Sequence, residues 1–200
     1  SWQKFMAAYD LRVNFPGMEA VGLARKTDTS QVSVSYVSPD VEMTRQFIGF
    51  DLSKVPQLHR ALTQAAQKVE TTVSEPLLKV GSTKTGFSSP APGFLMVAPF
   101  YDQNLPMSTP DERQAAVRGY TSAMFRGDIF FSQLFKDSDL SHTKLAVYIG
   151  NISPSHRLYE IGTNTDGETR RTTQEAMLHG QKFIFAYSFD TASILSFSQT

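Results

Sequence analysis

The sequence has no cysteine, no long apolar run and no excess of charge of either sign. The missing cysteines exclude disulfide bonds, thiolate metal sites and cysteine nucleophiles. No apolar stretch approaches the roughly 18–20 residues of a membrane-spanning helix. The 19 basic and 19 acidic side chains balance, so the net charge favours neither nucleic acid nor an anionic membrane surface as a partner. What remains is an ordinary globular composition, 40% hydrophobic and 19% charged.

The short motifs of common catalytic and nucleotide-binding sites are also missing. The sequence contains no G-x-S-x-G nucleophile motif and no Gly-rich phosphate loop. Its four histidines are not spaced to place two metal ligands on one helical turn; they are His59, His142, His156 and His179. We therefore predict no metal, no cofactor and no catalytic residue, and keep a small enzyme only as an alternative.

Hydrophobic periodicity predicts helices and strands along the first two thirds of the chain. Apolar residues at three- and four-residue steps predict a helix over residues 55–69, with Pro56 in its first turn and Ser53 as its cap. Thr109 or the serine before it is expected to cap another short helix. The other predicted helices cover residues 1–13, 111–117 and 127–135. The predicted strands cover residues 18–25, 31–37, 71–80, 93–101 and 118–125.

The last third is almost purely strand-like. Strands are predicted over residues 144–149, 157–161 and 182–189, and a strand-like segment over 193–198. Residues 81–92 and 162–171 are predicted as loops because they are rich in Gly, Ser, Thr, Pro or charged residues. Runs of strands with a few helices predict an α+β fold of antiparallel sheets with helices packed on one face.

Five sequence blocks, in a fixed order, carry a family resemblance. They are residues 15–22 (FPGMEAVG), 48–52 (IGFDL), 74–77 (SEPL), 93–101 (GFLMVAPFY), and 109–126, which holds TPDER, RGY and FR. Together they resemble the CHASE domain family, the extracytoplasmic sensors that include the plant cytokinin receptors and many bacterial receptors. Each block alone is weak, and the ordered set is specific.

The resemblance implies two PAS-like antiparallel-sheet modules in tandem, with flanking helices, on a truncated N-terminal stalk helix. Residues 1–13 would end the stalk, residues 14–136 would form a membrane-distal ligand-binding module, and residues 137–200 a membrane-proximal module. The first helix starts abruptly, so we expect the chain to be the excised outer portion of a receptor.

The same resemblance implies a non-catalytic, periplasmic sensor of an unidentified small molecule. In the intact receptor it would form a homodimer, tethered to the membrane by segments outside this chain. A transmembrane helix would connect it to a cytoplasmic histidine kinase of a two-component system or to a diguanylate cyclase. A stand-alone PAS-like binding protein is the main alternative.

The resemblance also suggests a ligand site. Related receptors use a carboxylate in a Gly-x-Asp turn to hydrogen-bond the ligand, and Asp51 is the matching residue. Asp is also a strong helix cap, so both roles stay open. The predicted walls of the pocket lie on the neighbouring strands, with plain core packing as the alternative for each apolar member: Val73, Leu77, Leu95, Val97, Tyr101, Tyr120, Ser122 and Met124.

The strand at residues 119–125 departs from the cytokinin-binding members. It carries Thr121, Ser122 and Met124 where those receptors have smaller residues that leave room for a purine. The ligand therefore stays unassigned.

Overall fold

The computed structural model of the chain describes residues 11–27, 30–77, 92–140, 143–162 and 169–190. The described strands are β1 Met18–Lys26, β2 Val32–Ser38, β3 Thr72–Val73, β4 Gly93–Tyr101, β5 Val117–Arg126, β6 Thr143–Ile149, β7 Arg157–Ile161, β8 Thr169–Leu178 and β9 Gln181–Asp190. The described helices are α1 Leu11–Asn14, α2 Glu42–Arg45, α3 Pro56–Lys68, α4 Pro110–Ala116 and α5 Gly127–Leu134, with 3-10 turns at Leu52–Lys54 and Pro154–His156.

The strands form two antiparallel sheets. The first has five strands in the order β2-β1-β5-β4-β3, and the second has four in the order β7-β6-β9-β8. The predicted α+β fold with two antiparallel sheets is confirmed. Of the predicted stalk helix, residues 1–10 lie outside the described residues and residues 11–14 are helical.

Helix α3 packs across one face of the first sheet. Its apolar stripe is buried, as the periodicity predicts, and Pro56 stands in its first turn. The predicted cap at Ser53 is wrong: the helix begins after Val55, which makes no side-chain cap bond, because Ser53 belongs to the preceding 3-10 turn. The helix ends at Val69, whose φ of 60° is unusual for a β-branched residue.

Helix α4 begins as its sequence predicts. The Thr109 hydroxyl accepts a hydrogen bond from the Glu112 amide at 3.2 Å, and the Glu112 carboxylate accepts one from the Thr109 amide at 2.9 Å. These reciprocal bonds are the capping box expected from Thr followed three residues later by Glu.

The loop predicted over residues 162–171 is wrong at its end. Strand β8 begins at Thr169 and continues to Leu178, a stretch that shows no alternation of apolar and polar residues. The side chains from Arg170 to Leu178 are all exposed, so burial imposes no pattern on this edge strand. The rest of that loop, residues 163–168, lies outside the described residues.

Three other predictions fall partly or wholly outside the described residues. Of the extended segment predicted over residues 71–80, Thr72–Val73 is a strand and Leu77 forms one bridge with Gly93; residues 78–80 lie outside. So do residues 81–91 of the predicted loop and the strand-like segment at 193–198.

Two hydrophobic cores result. The first lies between α3 and the first sheet, and its buried members are Ala24, Val32, Val34, Leu52, Leu58, Ala61, Leu62, Ala65, Ala66, Leu77, Leu95, Val97, Val117 and Tyr120. The second, the shared core, joins the other face of the first sheet, α5 and the second sheet. Its buried members are Val73, Phe94, Phe125, Phe131, Leu145, Val147, Ile149, Leu158, Tyr159 and Phe183. The division at residue 136 stays a prediction.

Among the described residues, no helix is both long and apolar enough to cross a membrane.

Candidate ligand-binding site

The face of the first sheet that carries α3, here called the α3 face, is closed at one end by the helix. The Tyr120 hydroxyl donates to the Leu62 carbonyl oxygen at 3.1 Å, and the Tyr101 hydroxyl donates to that of Ala66 at 2.7 Å. Burial raises the pKa of both phenols, so both remain protonated donors at neutral pH. These two tyrosines fix α3 over the ends of β4 and β5, which leaves no unpaired hydroxyl there for a ligand.

Further along the same face lies a group of residues, the Ser122 patch, made of the buried Gly22 and Leu95 and the less covered Ser122 and Met124. Register places Gly22 opposite Ser122 and Leu95 opposite Met124. On the α3 face, Ser122 and Met124 follow Tyr120 by two and four residues, or about 7 and 13 Å along the strand. Both are half-buried.

The hydroxyl of Ser122 is the distinctive group of the patch. It has no hydrogen-bond partner among the residues that the structure describes, and it lies between Gly22 of β1 and the buried Val97 of β4. Gly22 beside it has no side chain, and a Cβ there would come within 3.1 Å of the Ser122 oxygen. Glycine therefore leaves space beside this hydroxyl on an otherwise apolar face, and a polar group on an apolar surface is one feature of small-ligand sites.

Asp51 is bound tightly within the chain. One carboxylate oxygen accepts hydrogen bonds from the Val32 amide at 3.1 Å, the Ser53 amide at 3.0 Å and the Ser53 hydroxyl at 2.5 Å. Burial alone would raise the pKa of Asp51, but these hydrogen bonds, with a smaller contribution from Lys54, hold it below its ordinary value. The carboxylate therefore caps the 3-10 turn and ties that turn to β2.

Asp51 is also distant from the Ser122 patch. It forms a bridge with Ser33 on edge strand β2. Ser33 pairs with Arg25 in β1, and Arg25 pairs with Gly119 in β5, so these residues lie at the same level of the sheet. The path from Asp51 to Ser122 thus crosses three strand spacings and then runs three residues along β5, from Gly119 to Ser122. The separation is about 15 Å or more. One small ligand would not reach both, so the predicted ligand contact of Asp51 stays a prediction.

The other predicted wall residues fall in different places. Leu77, Leu95 and Val97 are buried in the core beneath α3. Val73 is fully buried on the opposite face, in the shared core. Of the predicted set, only Ser122 and Met124 lie on the α3 face, are partly exposed and make no hydrogen bond to α3.

The opposite face of the first sheet carries a groove of about 380 Å³ that the sequence did not predict. It is lined by Met18, Val21, Gly22, Thr71, Met96, Val97, Ala98, Thr121, Ser122, Ala123 and Phe125. By strand alternation Gly22, Val97 and Ser122 point to the α3 face, so they border the groove through their backbone. Because residues 93–101 are apolar on both faces, the sequence did not distinguish the two sides.

Titratable groups suggest no second site. No cluster of three His, Asp or Glu side chains suited to a metal occurs among the described residues. The His156 ring bonds to the Ser153 hydroxyl at 2.7 Å in a 3-10 turn, and His142 lies outside the described residues.

Comparison with known proteins agrees with this architecture. The CHASE domain model matches residues 26–159, well over half of the chain. No curated protein matches the sequence significantly. Among solved structures, an extracellular ligand binding receptor from Desulfohalobium retbaense is 14% identical with a TM-score of 0.54; the match covers 86% of this chain and 30% of that one. The periplasmic domain of RsbU from Chlamydia trachomatis is 9% identical with a TM-score of 0.49; the match covers 98% of this chain and 85% of that one.

These findings differ in what they establish. At 14% identity the receptor structure is evidence for the fold alone, and this chain spans only 30% of its length. The family match includes four of the five sequence blocks, from residue 48 to residue 126. The chain belongs to the CHASE domain family, the extracytoplasmic sensor domains that its sequence motifs resemble.

Proposed function

We propose that this domain binds a small molecule at the Ser122 patch and passes the binding event to the rest of a membrane receptor. The observation that supports this is the half-buried Ser122 hydroxyl, which lacks a partner among the described residues and lies beside a glycine on an otherwise apolar face. The hydroxyl is accessible to solvent, so a ligand group that bonds to it takes the place of water at a partly enclosed position.

The chemistry of the patch limits the ligand class. Its members offer apolar surface from Leu95 and Met124 and one hydroxyl that both donates and accepts. None of them is charged, so the bound part of the ligand is uncharged, with an apolar body and one hydrogen-bonding group. A contact to Asp51 would require a ligand that extends to the edge of the sheet.

The signalling role follows from differential binding. A ligand shifts a receptor only by as much as it prefers one conformation over another. We expect residues 14–136 to hold the ligand and residues 137–200 to relay the change to a transmembrane helix. The output domain would be a histidine kinase or a diguanylate cyclase, and the receptor a homodimer. A stand-alone binding protein instead predicts no membrane-spanning segment beside this chain in the full-length protein.

The experiment is a thermal-shift screen against purines, nucleosides, amino acids and organic acids. A compound that binds the folded state raises the melting temperature as its concentration exceeds Kd. With a hit in hand, Ser122→Ile should weaken binding tenfold or more, because it fills the patch and removes the hydroxyl.

The matched control is Thr121→Ile, the adjacent residue of β5, whose side chain points to the groove on the opposite face. It should leave Kd within about twofold. If Thr121→Ile abolishes binding and Ser122→Ile does not, the ligand occupies the groove and our site is wrong.

A further inference from the structure

The β8–β9 hairpin ends in a two-residue turn, the hairpin tip, made of His179 and Gly180. Leu178 pairs with Gln181 across the hairpin, and the two turn residues have φ of 45° and 79°. Positive φ at both positions is what a tight antiparallel hairpin of this length needs. The tip therefore has a defined shape although both residues are exposed.

The hairpin tip reaches out of the second sheet and contacts the first. The Val73 amide in β3 donates to the His179 carbonyl oxygen at 3.0 Å. Gly180 lies directly against the side-chain amide of Gln64 in α3, so close that a Cβ at position 180 would overlap it. One turn thus touches both the helix and the edge strand of the ligand-binding sheet.

Strand β9 connects this contact to the rest of the second sheet. It starts at Gln181, directly after the tip, and runs ten residues, about 34 Å. It is an inner strand, paired with both β6 and β8, and its Phe183 is buried in the shared core. Strand β9 therefore connects the tip directly to the centre of the second sheet.

Helix α3 is the element that joins the tip to the Ser122 patch. It is bonded through Leu62 to Tyr120, which precedes Ser122 by two residues on the same face of β5. Leu95 and Met124 of the patch pack in the same core as the buried stripe of the helix, and Gln64 of the same helix touches Gly180.

We propose that the hairpin tip is the mechanical link through which a shift of α3 and β3 reaches the second sheet. The signalling meaning of this link rests on the proposed function, whereas the link itself can be tested without ligand. Its key residues are Gln64 and Val73 in the first sheet's layer and His179 and Gly180 in the tip.

The first test measures amide exchange in Gly180→Ala. The added Cβ strains the positive φ and displaces Gln64, so exchange at the Val73 amide should rise at least tenfold relative to the Val147 amide in the shared core. The control is Gly150→Ala, because Gly150 also has a positive φ of 82° and its Cβ would meet nothing closer than His156 at 3.6 Å. It should leave that ratio unchanged.

The second test asks whether the link transmits. Because the chain has no cysteine, a Ser122→Cys variant can be alkylated at one place after folding, which inserts a wedge in the patch. Amide chemical shifts of β9 should move on alkylation. They should move less than half as much in the Gln64→Ala background, where the helix side of the contact is lost.

The outcomes separate the two proposals. Equal exchange ratios in the Gly180 and Gly150 variants, or β9 shifts that are the same with and without Gln64, would overturn the link whatever binds at the patch. A link that passes both tests, with no compound sensitive to Ser122→Ile, would instead refute the ligand site.

Discussion

The two faces of the first sheet are built in different ways. On the α3 face, aliphatic side chains pack under one helix, and Tyr101 and Tyr120 add hydroxyl bonds to its backbone. On the opposite face, aromatic rings from the sheet, α5 and β9 pack together. The ring centroid of Phe94 lies 5.1 Å from that of Phe125, in a stacked arrangement, and 5.9 Å from that of Phe183, edge to face. One face thus holds a helix and the other joins two sheets.

Under the proposed function, this difference separates the ligand site on one face from the connection between the sheets on the other. The α3 face retains a half-buried hydroxyl and a glycine, so small changes there are tolerated. The shared core borders the groove at Phe125, but its rings pack against one another from three elements, and packed aromatic cores resist deformation. We therefore expect ligand-dependent change to begin on the α3 face, and the shared core to hold the two sheets together.

The largest predicted effect comes from a substitution in the shared core, on the opposite face. Phe131 in α5 is 2% exposed and its ring lies within 6.0 to 6.4 Å of Phe135, Tyr159 and Phe183. Phe131→Ala should lower the free energy of unfolding by about 3–5 kcal/mol because it empties the centre of the cluster. Denaturant unfolding followed by circular dichroism measures this.

The control for Phe131 is Leu134→Ala, on the same helix but 57% exposed, with an expected cost below about 0.5 kcal/mol. Hydrogen exchange should show both sheets losing protection together in Phe131→Ala. If the first sheet keeps full protection while the second opens, the core does not join them and the comparison of faces fails.

A smaller effect is expected at the margin of the α3 face. Asp51→Ala removes the carboxylate that caps the 3-10 turn and should cost about 1–2 kcal/mol, whereas Asp51→Asn keeps a capping oxygen and should cost less. Urea denaturation of the two variants at neutral pH gives both values.

The pH dependence of Asp51 has a definite sign. The pKa of this carboxyl is lowered in the folded state, so its contribution is complete above the unfolded value of about 3.9. It is lost as pH falls below that value and through the folded pKa. Stability measured between pH 6 and pH 2 should therefore fall more steeply in the native sequence than in Asp51→Asn. Parallel curves would show that the carboxylate charge is unimportant.

The sequence predicted the helices and strands better than it predicted the residues of the ligand-binding site. Strand β4 was predicted with its observed ends, and helix α3 within one residue at each, because burial imposes a strong period on both. Strand β8 was missed since no face of it is buried. The pairing of strands depends on contacts between distant residues, which a local pattern does not contain.

The candidate site shows the same limit. Sequence motifs brought Asp51 and Ser122 into one predicted pocket, but register places Asp51 beyond edge strand β2 and Ser122 on inner strand β5, at different levels of the sheet. Gly22 beside Ser122 was not predicted as a site residue, because only the register of β1 on β5 makes them neighbours. Residue types suggested the chemistry, and the register determined which groups share a surface.

The smallest predicted effect compares two tyrosines that bond to the same helix. Tyr120→Phe removes a buried hydroxyl bond to Leu62 and should cost about 1 kcal/mol, since water cannot replace the donor. Tyr101→Phe should cost less, because Tyr101 is only half-buried whereas Tyr120 is 1% exposed. Burial, with a smaller effect of Tyr101, raises the pKa of Tyr120, so its share of stability persists below about pH 10 and declines above it. Thermal unfolding at pH 7 and pH 10.5 tests both points, and a Tyr101→Phe cost equal to that of Tyr120→Phe would mean that burial does not set the strength of the α3 attachment.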